Sequence, residues 1–454
     1  MQGRRIGYTW ETTTAAQENG QEVVHRQAEF TMKMQRFGAV VETAIKIQSI
    51  EDKAENLKRF ETVMKAGSTE FKSAGQVQDG KLTVQLSTLG APVKETIDWN
   101  GDIGGPFARE LSLRTQPMKP GEKRSLRMLV PMQTAPARVE MKAIGYEDTK
   151  MLNGTRNLLR IEAVNITKQG GIETKIPETI FVDSAGVTMK SVIPMMQQEV
   201  YATTRSVALG DFDPAEFDLG EMSIVKVDAP AGFEDREQAK YRVRLTSSNP
   251  KEQFASGGAQ TVESVDDRTA TITVSPAHAA AANKDDQPSD ADLASNGLIQ
   301  SYDPLIVKLA AGIAPGEKNA TRLAQAIEKF VFTTIDEKTF TQVFATAAEV
   351  AKSREGDCTE HGVLLAALAR ARELPARVVF GLVYVRQFGG FGYHMWTEVW
   401  TGDRWLALDG TLGQGGITHR HIKIGHSNLK GAGPLSAMLP AVTVMGNVAI
   451  ELLP

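Results

Sequence analysis

The stretch Cys358–Ala371 limits the possible folds of this chain more than any other. Written as a helix, its residues Val363, Leu364, Leu365, Leu368, Ala369 and Ala371 leave almost no polar side. A helix of that kind has to be buried over most of its surface. Its start is marked as well: Asp357 suits the N-cap position, and Glu360 three residues on completes a capping box. Leu374-Pro375 predicts its end. The first helical residue is then Cys358, the single cysteine among 454 residues.

A lone cysteine forms no intramolecular disulfide and no thiolate metal site, so it is either an inert buried thiol or a nucleophile. A helix start offers its sulfur unpaired N–H groups and the positive end of the dipole, which favour thiolate. The same N–H groups, that of Cys358 first, suit the oxyanion of a tetrahedral intermediate. The charge of Asp357 works slightly against this. Downstream, Gly392-Tyr-His-Met-Trp-Thr-Glu-Val-Trp400 supplies His394 and Trp405-Leu-Ala-Leu-Asp409 supplies a carboxylate.

Between these two strands, Thr401-Gly-Asp-Arg404 reads as a tight turn with Gly402-Asp403 at its centre. That turn pairs Trp400 with Trp405 and sets Trp396 opposite Asp409 and His394 opposite Thr411. His394 and Asp409 then share a sheet face as diagonal neighbours, roughly 7–8 Å apart at the backbone. A Cys-His-Asp set can run acyl transfer, with His394 as the base, Asp409 orienting the imidazole and Cys358 attacking a carbonyl. His361, one turn below Cys358, reads as a brace for the site, and Glu360 is accounted for by capping. Trp396, Trp400 and Trp405 read as core, with Trp396 also a candidate for the groove wall.

The residues surrounding this set resemble the transglutaminase-like superfamily, whose fold is similar to that of papain-type cysteine proteases. The resemblance runs through Gly356-Asp-Cys-Thr-Glu-His361, Ala366-Ala-Leu-Ala-Arg-Ala371 and Leu374-Pro-Ala-Arg-Val378. It continues through Gly381-Leu-Val-Tyr384, Tyr393-His-Met-Trp-Thr-Glu398 and Trp405-Leu-Ala-Leu-Asp-Gly-Thr411. It spans about residues 300 to 430 and implies Cys358, His394 and Asp409 as the catalytic residues. Asp409-Gly-Thr stands where many members have Asp-Pro-Thr; the carboxylate is kept, and glycine also tolerates the turn. The front half loosely resembles regions that precede this domain in bacterial proteins, often exported ones.

The chain as a whole is expected to be α+β: a papain-like, transglutaminase-like C-terminal domain with its Cys helix packed on an antiparallel sheet, after a β-rich region. We divide it into a β-rich region 1–222, a small β segment and linker 223–290, and the catalytic domain 291–454. Strands are expected at Arg124–Val130, Leu158–Val164, Tyr241–Leu245 and Ala270–Val274, with a hairpin over Glu178–Lys190. Glu51–Lys65 suits either a helix or a strand pair with a polar turn. Pro276–Pro288 reads as a linker. Helices are expected from near Asn319, carrying Leu323, Ile327, Phe330, Val331 and Thr334 on one stripe, and over Gln342–Val350.

Hydrophobic content of 41%, charged content of 23% and a net charge of −4 describe an ordinary soluble protein with no pull towards nucleic acid. No run is apolar enough to span a bilayer. Met1-Gln-Gly-Arg-Arg-Ile-Gly-Tyr8 is too polar for a signal peptide. The resemblance favours a periplasmic or secreted protein over a cytoplasmic one. Five of the seven histidines fall between His361 and His426, and His419-Arg-His421 puts two imidazoles on one face of an extended segment. A closed metal site would want further ligands at clear spacing, so no metal or cofactor is expected and these histidines read as a polar loop near the cleft. The expected activity is acyl transfer from an amide in a protein or peptide substrate, by hydrolysis or by transamidation of glutamine. The alternative is a non-catalytic binding or scaffold protein that retains the fold.

Overall fold

The structure is a computed structural model. It describes residues 3–454 apart from 68, 88–92, 100, 131, 134–135, 170–171, 215–217, 247, 338, 340–344, 431–440, 442–443 and 445. The chain opens with β1 (Gly7–Glu18), β2 (Gln21–Arg36), β3 (Ala39–Asp52), β4 (Leu57–Ala66), β5 (Thr69–Gln78), β6 (Lys81–Ser87) and β7 (Val93–Asp98). These pair antiparallel in sequential order as one sheet. In β4, Phe60, Thr62, Met64 and Ala66 are buried while their neighbours face outward. That period of two decides Glu51–Lys65, which forms two strands around a polar turn rather than a helix. Asp52 makes the turn by accepting the N–H groups of Ala54 and Asn56.

A second sheet contains β8 (Ile103–Gly104), β9 (Lys123–Met128), β10 (Ala137–Lys150), β11 (Thr155–Gln169), β12 (Ile172–Val182), β13 (Thr188–Ile193) and β14 (Gln198–Tyr201). The helix α1 (Ala108–Thr115) interrupts it between β8 and β9. The expected hairpin is β12 and β13, with Asp183 accepting the N–H groups of Ala185 and Val187 in its turn. Two short helices, α2 (Arg205–Leu209) and α3 (Leu219–Met222), lead to β15 (Val225–Lys226).

Next come β16 (Ala239–Leu245), α4 (Pro250–Gln253), β17 (Gln260–Asp266) and β18 (Thr269–Val274). The helices α5 (Pro304–Gly312), α6 (Ala320–Thr334), α7 (Ala347–Ser353) and α8 (Cys358–Ala371) follow, then β19 (Ala376–Val385), β20 (Gly390–Trp400), β21 (Trp405–Leu408), β22 (His421–Ser427) and β23 (Val448–Leu453). A third sheet has the order β15-β20-β19-β22 with β21 added on β20, and a fourth has the order β17-β18-β16-β23. Asn319 caps α6 as expected. The helix expected over Gln342–Val350 is α7, three residues further on at its end; positions 342–344 lie outside the described residues. Pro276–Pro288 is held down rather than loose. Its Asp286 pairs with Arg377 and accepts the indole N–H of Trp405 on its backbone carbonyl.

The helix α8 is the centre of the C-terminal half. Every residue from Thr359 to Arg370 is buried, between α5, α6 and α7 on one side and β19 and β20 on the other. Thr397 of β20 donates to the carbonyl of Gly362 at 2.9 Å, and that glycine lets the helix approach Met395 closely. The helix ends at Ala371, earlier than Leu374-Pro375, because Glu373 turns into the left-handed region at φ +61. One hydrophobic core joins α5–α8, the third sheet and the fourth sheet, and it takes in Met64 and Phe71 from the first. Residues of 223–290 and of 291–454 therefore share that core. The architecture is α+β, with the α-helical layer confined to the C-terminal half behind a β-rich region. Among the described residues no helix is long and apolar enough to cross a membrane.

Candidate functional site

Asp357 caps α8 as its sequence position requires. Its side chain accepts the N–H of Thr359 at 2.8 Å, and Glu360 returns a bond to the N–H of Asp357 at 3.0 Å. The N–H of His361 goes to the Asp357 carbonyl. The N–H of Cys358 is left without such a partner among the described residues, at the place an oxyanion donor would occupy. Cys358 is half-buried. His361 is fully buried, and its Nδ1 bonds the carbonyl of Asp357 at 2.6 Å, so it braces the cap. Glu360 also accepts the N–H of Ala345, and burial pushes its carboxyl up to about 8, with the charge of Asp357 adding to the shift.

The β20–β21 hairpin has the expected register, with Trp400 opposite Trp405 and Thr397 opposite Leu408. Gly402 takes a positive φ of +115 in its turn. On its outer edge β20 is paired by β15 at residues 390 and 391 and by β21 from 397 onward. His394 falls between them. The Cys358 thiol is near enough to act on its ring, while its Nε2 bonds Asp409 Oδ2 at 2.8 Å. With Nε2 engaged by the carboxylate, the other ring nitrogen is the one available to sulfur. Burial alone would lower the His394 pKa. The Asp409 charge and hydrogen bond, and then the thiol, outweigh that and hold it well above the usual value.

Asp409 is fully buried and accepts four hydrogen bonds. Oδ2 takes His394 and His421 (3.0 Å), and Oδ1 takes the N–H groups of Thr411 (2.9 Å) and Leu412 (3.2 Å). Burial raises its pKa, but His394 and His421 together hold it well below the carboxylate range. Sequence reasoning did not find His421 as a partner of Asp409. Nor do His419, His421 and His426 form a polar loop: His421 and His426 lie on β22, and His419, in the turn before it, is buried. His421 is buried too, His419 lies edge-on to Phe233, and His426 contacts Arg377. A bulge in the β19–β22 pairing at Phe380/Gly381 separates the two ends of β22, so no local turn announces where His421 points.

The ligand atoms of His394, Asp409 and His421 lie within 4.8 Å of one another, a spacing that also suits a metal ion. The protons argue for hydrogen bonding. His421 Nε2 faces the Asp409 carboxylate, which can only accept, so a ring proton sits there, while Nδ1 lies near both the N–H (3.2 Å) and the carbonyl (3.3 Å) of Thr418. Burial keeps His421 below the usual histidine pKa, consistent with a neutral ring. Trp396 is core, 1% exposed, lying along His394 at 6.3 Å and edge-on to His421 at 5.3 Å.

Two further groups belong to the setting. Glu328 of α6, 1% exposed, accepts the N–H groups of Asp409 (2.9 Å) and Gly416 (3.0 Å) and so fixes the backbone that carries the carboxylate. Arg36, from the β2–β3 hairpin of the first sheet, pairs with Asp357 at 2.7 Å. A separate polar hollow of about 1000 Å³ lies on the first sheet, lined by His25, Gln48, Arg59 and Gln76 among others, and includes none of Cys358, His394 or Asp409.

The model of the transglutaminase-like superfamily matches residues 307–410, a segment that includes all three of those side chains. No curated protein matches the chain. Among solved structures, similarity is found to a candidate cysteine protease from Cytophaga hutchinsonii, at 17% identity over 47% of this chain and 83% of that one, with a TM-score of 0.31. The periplasmic domain of TgpA from Pseudomonas aeruginosa, bound to ethylmercury, is 15% identical over 39% of this chain and 91% of that one, with a TM-score of 0.27. A β-barrel-like protein of a domain of unknown function from Brucella abortus is 11% identical over 42% of this chain and 92% of that one, with a TM-score of 0.30. The C-terminal half of this chain thus carries a domain of the transglutaminase-like superfamily, preceded by a β-rich region.

Proposed function

We propose that this protein is a thiol enzyme of that superfamily, with Cys358 as nucleophile, His394 as general base and then acid, and Asp409 as the group that orients His394. The convergence of the Cys358 thiol, His394 and Asp409 at the start of a capped, buried helix carries this reading. The Cys358 proton passes to His394, and sulfur attacks an amide carbonyl carbon to form a C–S bond. The oxyanion is held by the Cys358 N–H. The C–N bond then breaks as His394 returns its proton to the leaving amine, and a thioester remains. Water attacks the thioester, giving its proton to His394, and the C–S bond breaks to release a carboxylic acid and the thiol.

The substrate is an amide in a protein or peptide. Water is always present and nothing in the chain marks an amine site, so hydrolysis is favoured over transamidation of glutamine. An exported location, periplasmic or secreted, belongs to the same proposal and rests on the resemblance of the front half to exported bacterial proteins.

Cys358 is the only thiol, so alkylation reads it alone. Iodoacetamide is expected to label it near pH 7, and His394→Ala to slow labelling at least about tenfold. Asp409→Asn is expected to cut turnover on the order of 10²-fold. Equal, slow labelling of the wild type and His394→Ala would overturn the reading. A glutamine peptide offered with a fluorescent primary amine and followed by mass spectrometry separates the outcomes: chain cleavage or deamidation for hydrolysis, amine incorporation for transamidation.

A further inference from the structure

The tip of the β2–β3 hairpin reaches from the first sheet to the start of α8. Its central residues, Phe37 and Gly38, have φ of +50 and +80, as a two-residue turn of this kind requires. Asn or Gly usually fills the first position. A phenylalanine there is strained, because its Cβ crowds the following carbonyl. The seat offsets this. The Phe37 ring stacks on Phe388 at 5.1 Å, and Gly220 lies so close to that ring that a Cβ would collide with it at 2.7 Å. The N–H groups of Phe37 and Gly38 donate to the Asp218 carboxylate at 2.9 and 2.7 Å. A turn that breaks its local preference and is held by a made-to-fit seat has a place to keep.

From that place Arg36 Nη1 meets Asp357 Oδ2 at 2.7 Å. The Asp357 side chain is 2% exposed and immediately precedes Cys358. Left alone, a buried carboxylate there would oppose a thiolate and cancel part of the field at the helix start. Burial acts against the charge of Arg36, but Asp357, Cys358 and Glu360, in that order, more than offset it. The charged and titratable groups around the sulfur are His394 from β20, Arg36 from the hairpin, and Asp357 and Glu360 from its own helix, with Asp409 and His421 behind His394.

We propose that Arg36 is a positioning residue for the thiol: supplied by the first sheet, it neutralises Asp357 and keeps the start of α8 electropositive for the Cys358 thiolate. This rests on the reading of Cys358 as the nucleophile and gives the β-rich region a part in the chemistry.

The test is the pH profile of Cys358 alkylation by iodoacetamide in the full chain, read by mass spectrometry. Wild type, Arg36→Ala, Arg36→Lys, Asp357→Asn and the double variant Arg36→Ala/Asp357→Asn are compared. Arg36→Ala is expected to move the profile to higher pH by about one unit, a tenfold loss of rate at pH 7, and Arg36→Lys to recover most of it. Asparagine still caps a helix, so the double variant is expected to return to the Asp357→Asn profile. A shift in Arg36→Ala that removal of the Asp357 charge does not reverse would overturn the proposal. So would an unshifted Arg36→Ala profile in a protein whose labelling still depends on His394. If Arg36→Ala does not fold, the comparison of Arg36→Ala/Asp357→Asn with Asp357→Asn decides it: matching profiles uphold the role of charge, and a lasting deficit overturns it. Wild-type labelling that ignores His394 is a separate result, and it removes the underlying reading instead.

Discussion

Asp409 holds two imidazoles on one oxygen, and they have different tasks. His394 faces the thiol, whereas His421 is buried away from it, donates from Nε2 to the carboxylate and is kept below the usual histidine pKa by burial. Replacing His421 by Ala should cost about 1–3 kcal/mol in denaturant unfolding and slow alkylation of Cys358 less than His394→Ala does. Glu328 adds a pH dependence. Burial pushes its carboxyl up to about 7, against the pull of the two N–H groups it accepts and helped by the charge of Asp409. A carboxyl whose pKa rises on folding contributes fully below its unfolded pKa of about 4.5, and that contribution is lost as pH climbs through 7. Glu328→Gln cannot ionise, so its stability relative to wild type should increase from pH 5 to pH 8 by about 1–3 kcal/mol, as read by urea titration at each pH. At this scale, the approach of His394 to Asp409 was legible in the sequence because a two-residue turn sets the register. His421 was not, because its direction depends on a bulge between strands far apart in the chain.

The elements were legible where a local rule acts alone. The start of α8 followed from Asp357 and Glu360, and β20 and β21 followed from Gly402-Asp403 between two apolar strands. Glu51–Lys65 was ambiguous because its composition suits a helix, and only the alternation from Phe60 to Ala66, once paired with β3 and β5, decides for strands. Gly381 in β19 shows how closely the elements near the site are fitted. It lies opposite His394, and a Cβ there would come within 2.4 Å of both the Ile422 carbonyl and the Trp396 ring. Gly381→Ala should therefore destabilise the protein by about 3 kcal/mol, measured by denaturant unfolding, and slow Cys358 labelling as Trp396 is pushed towards His394.

At the scale of the molecule, the seat of the β2–β3 tip could not be read from sequence. It joins Arg36 to Asp357 and Phe37 to Phe388 over more than three hundred positions, and no local motif at one end points to the other. The shared core has the same long-range character. β23 pairs with β16, placing Ile450 beside Val243 and Leu452 beside Tyr241, in a sheet whose other strands were all made much earlier in the chain. Synthesis runs in one direction, at roughly 5–20 residues per second. Once β16 has left the ribosome, roughly 200 more residues must follow before its partner strand exists, a wait on the order of 10–40 seconds. During that time an apolar strand edge is exposed. Chains stopped before Val448 should keep that edge open and collect in the insoluble fraction, whereas chains carrying β23 stay soluble, as fractionation of matched expression cultures would test. The strand that completes the fourth sheet thus also decides how long the nascent protein needs protection.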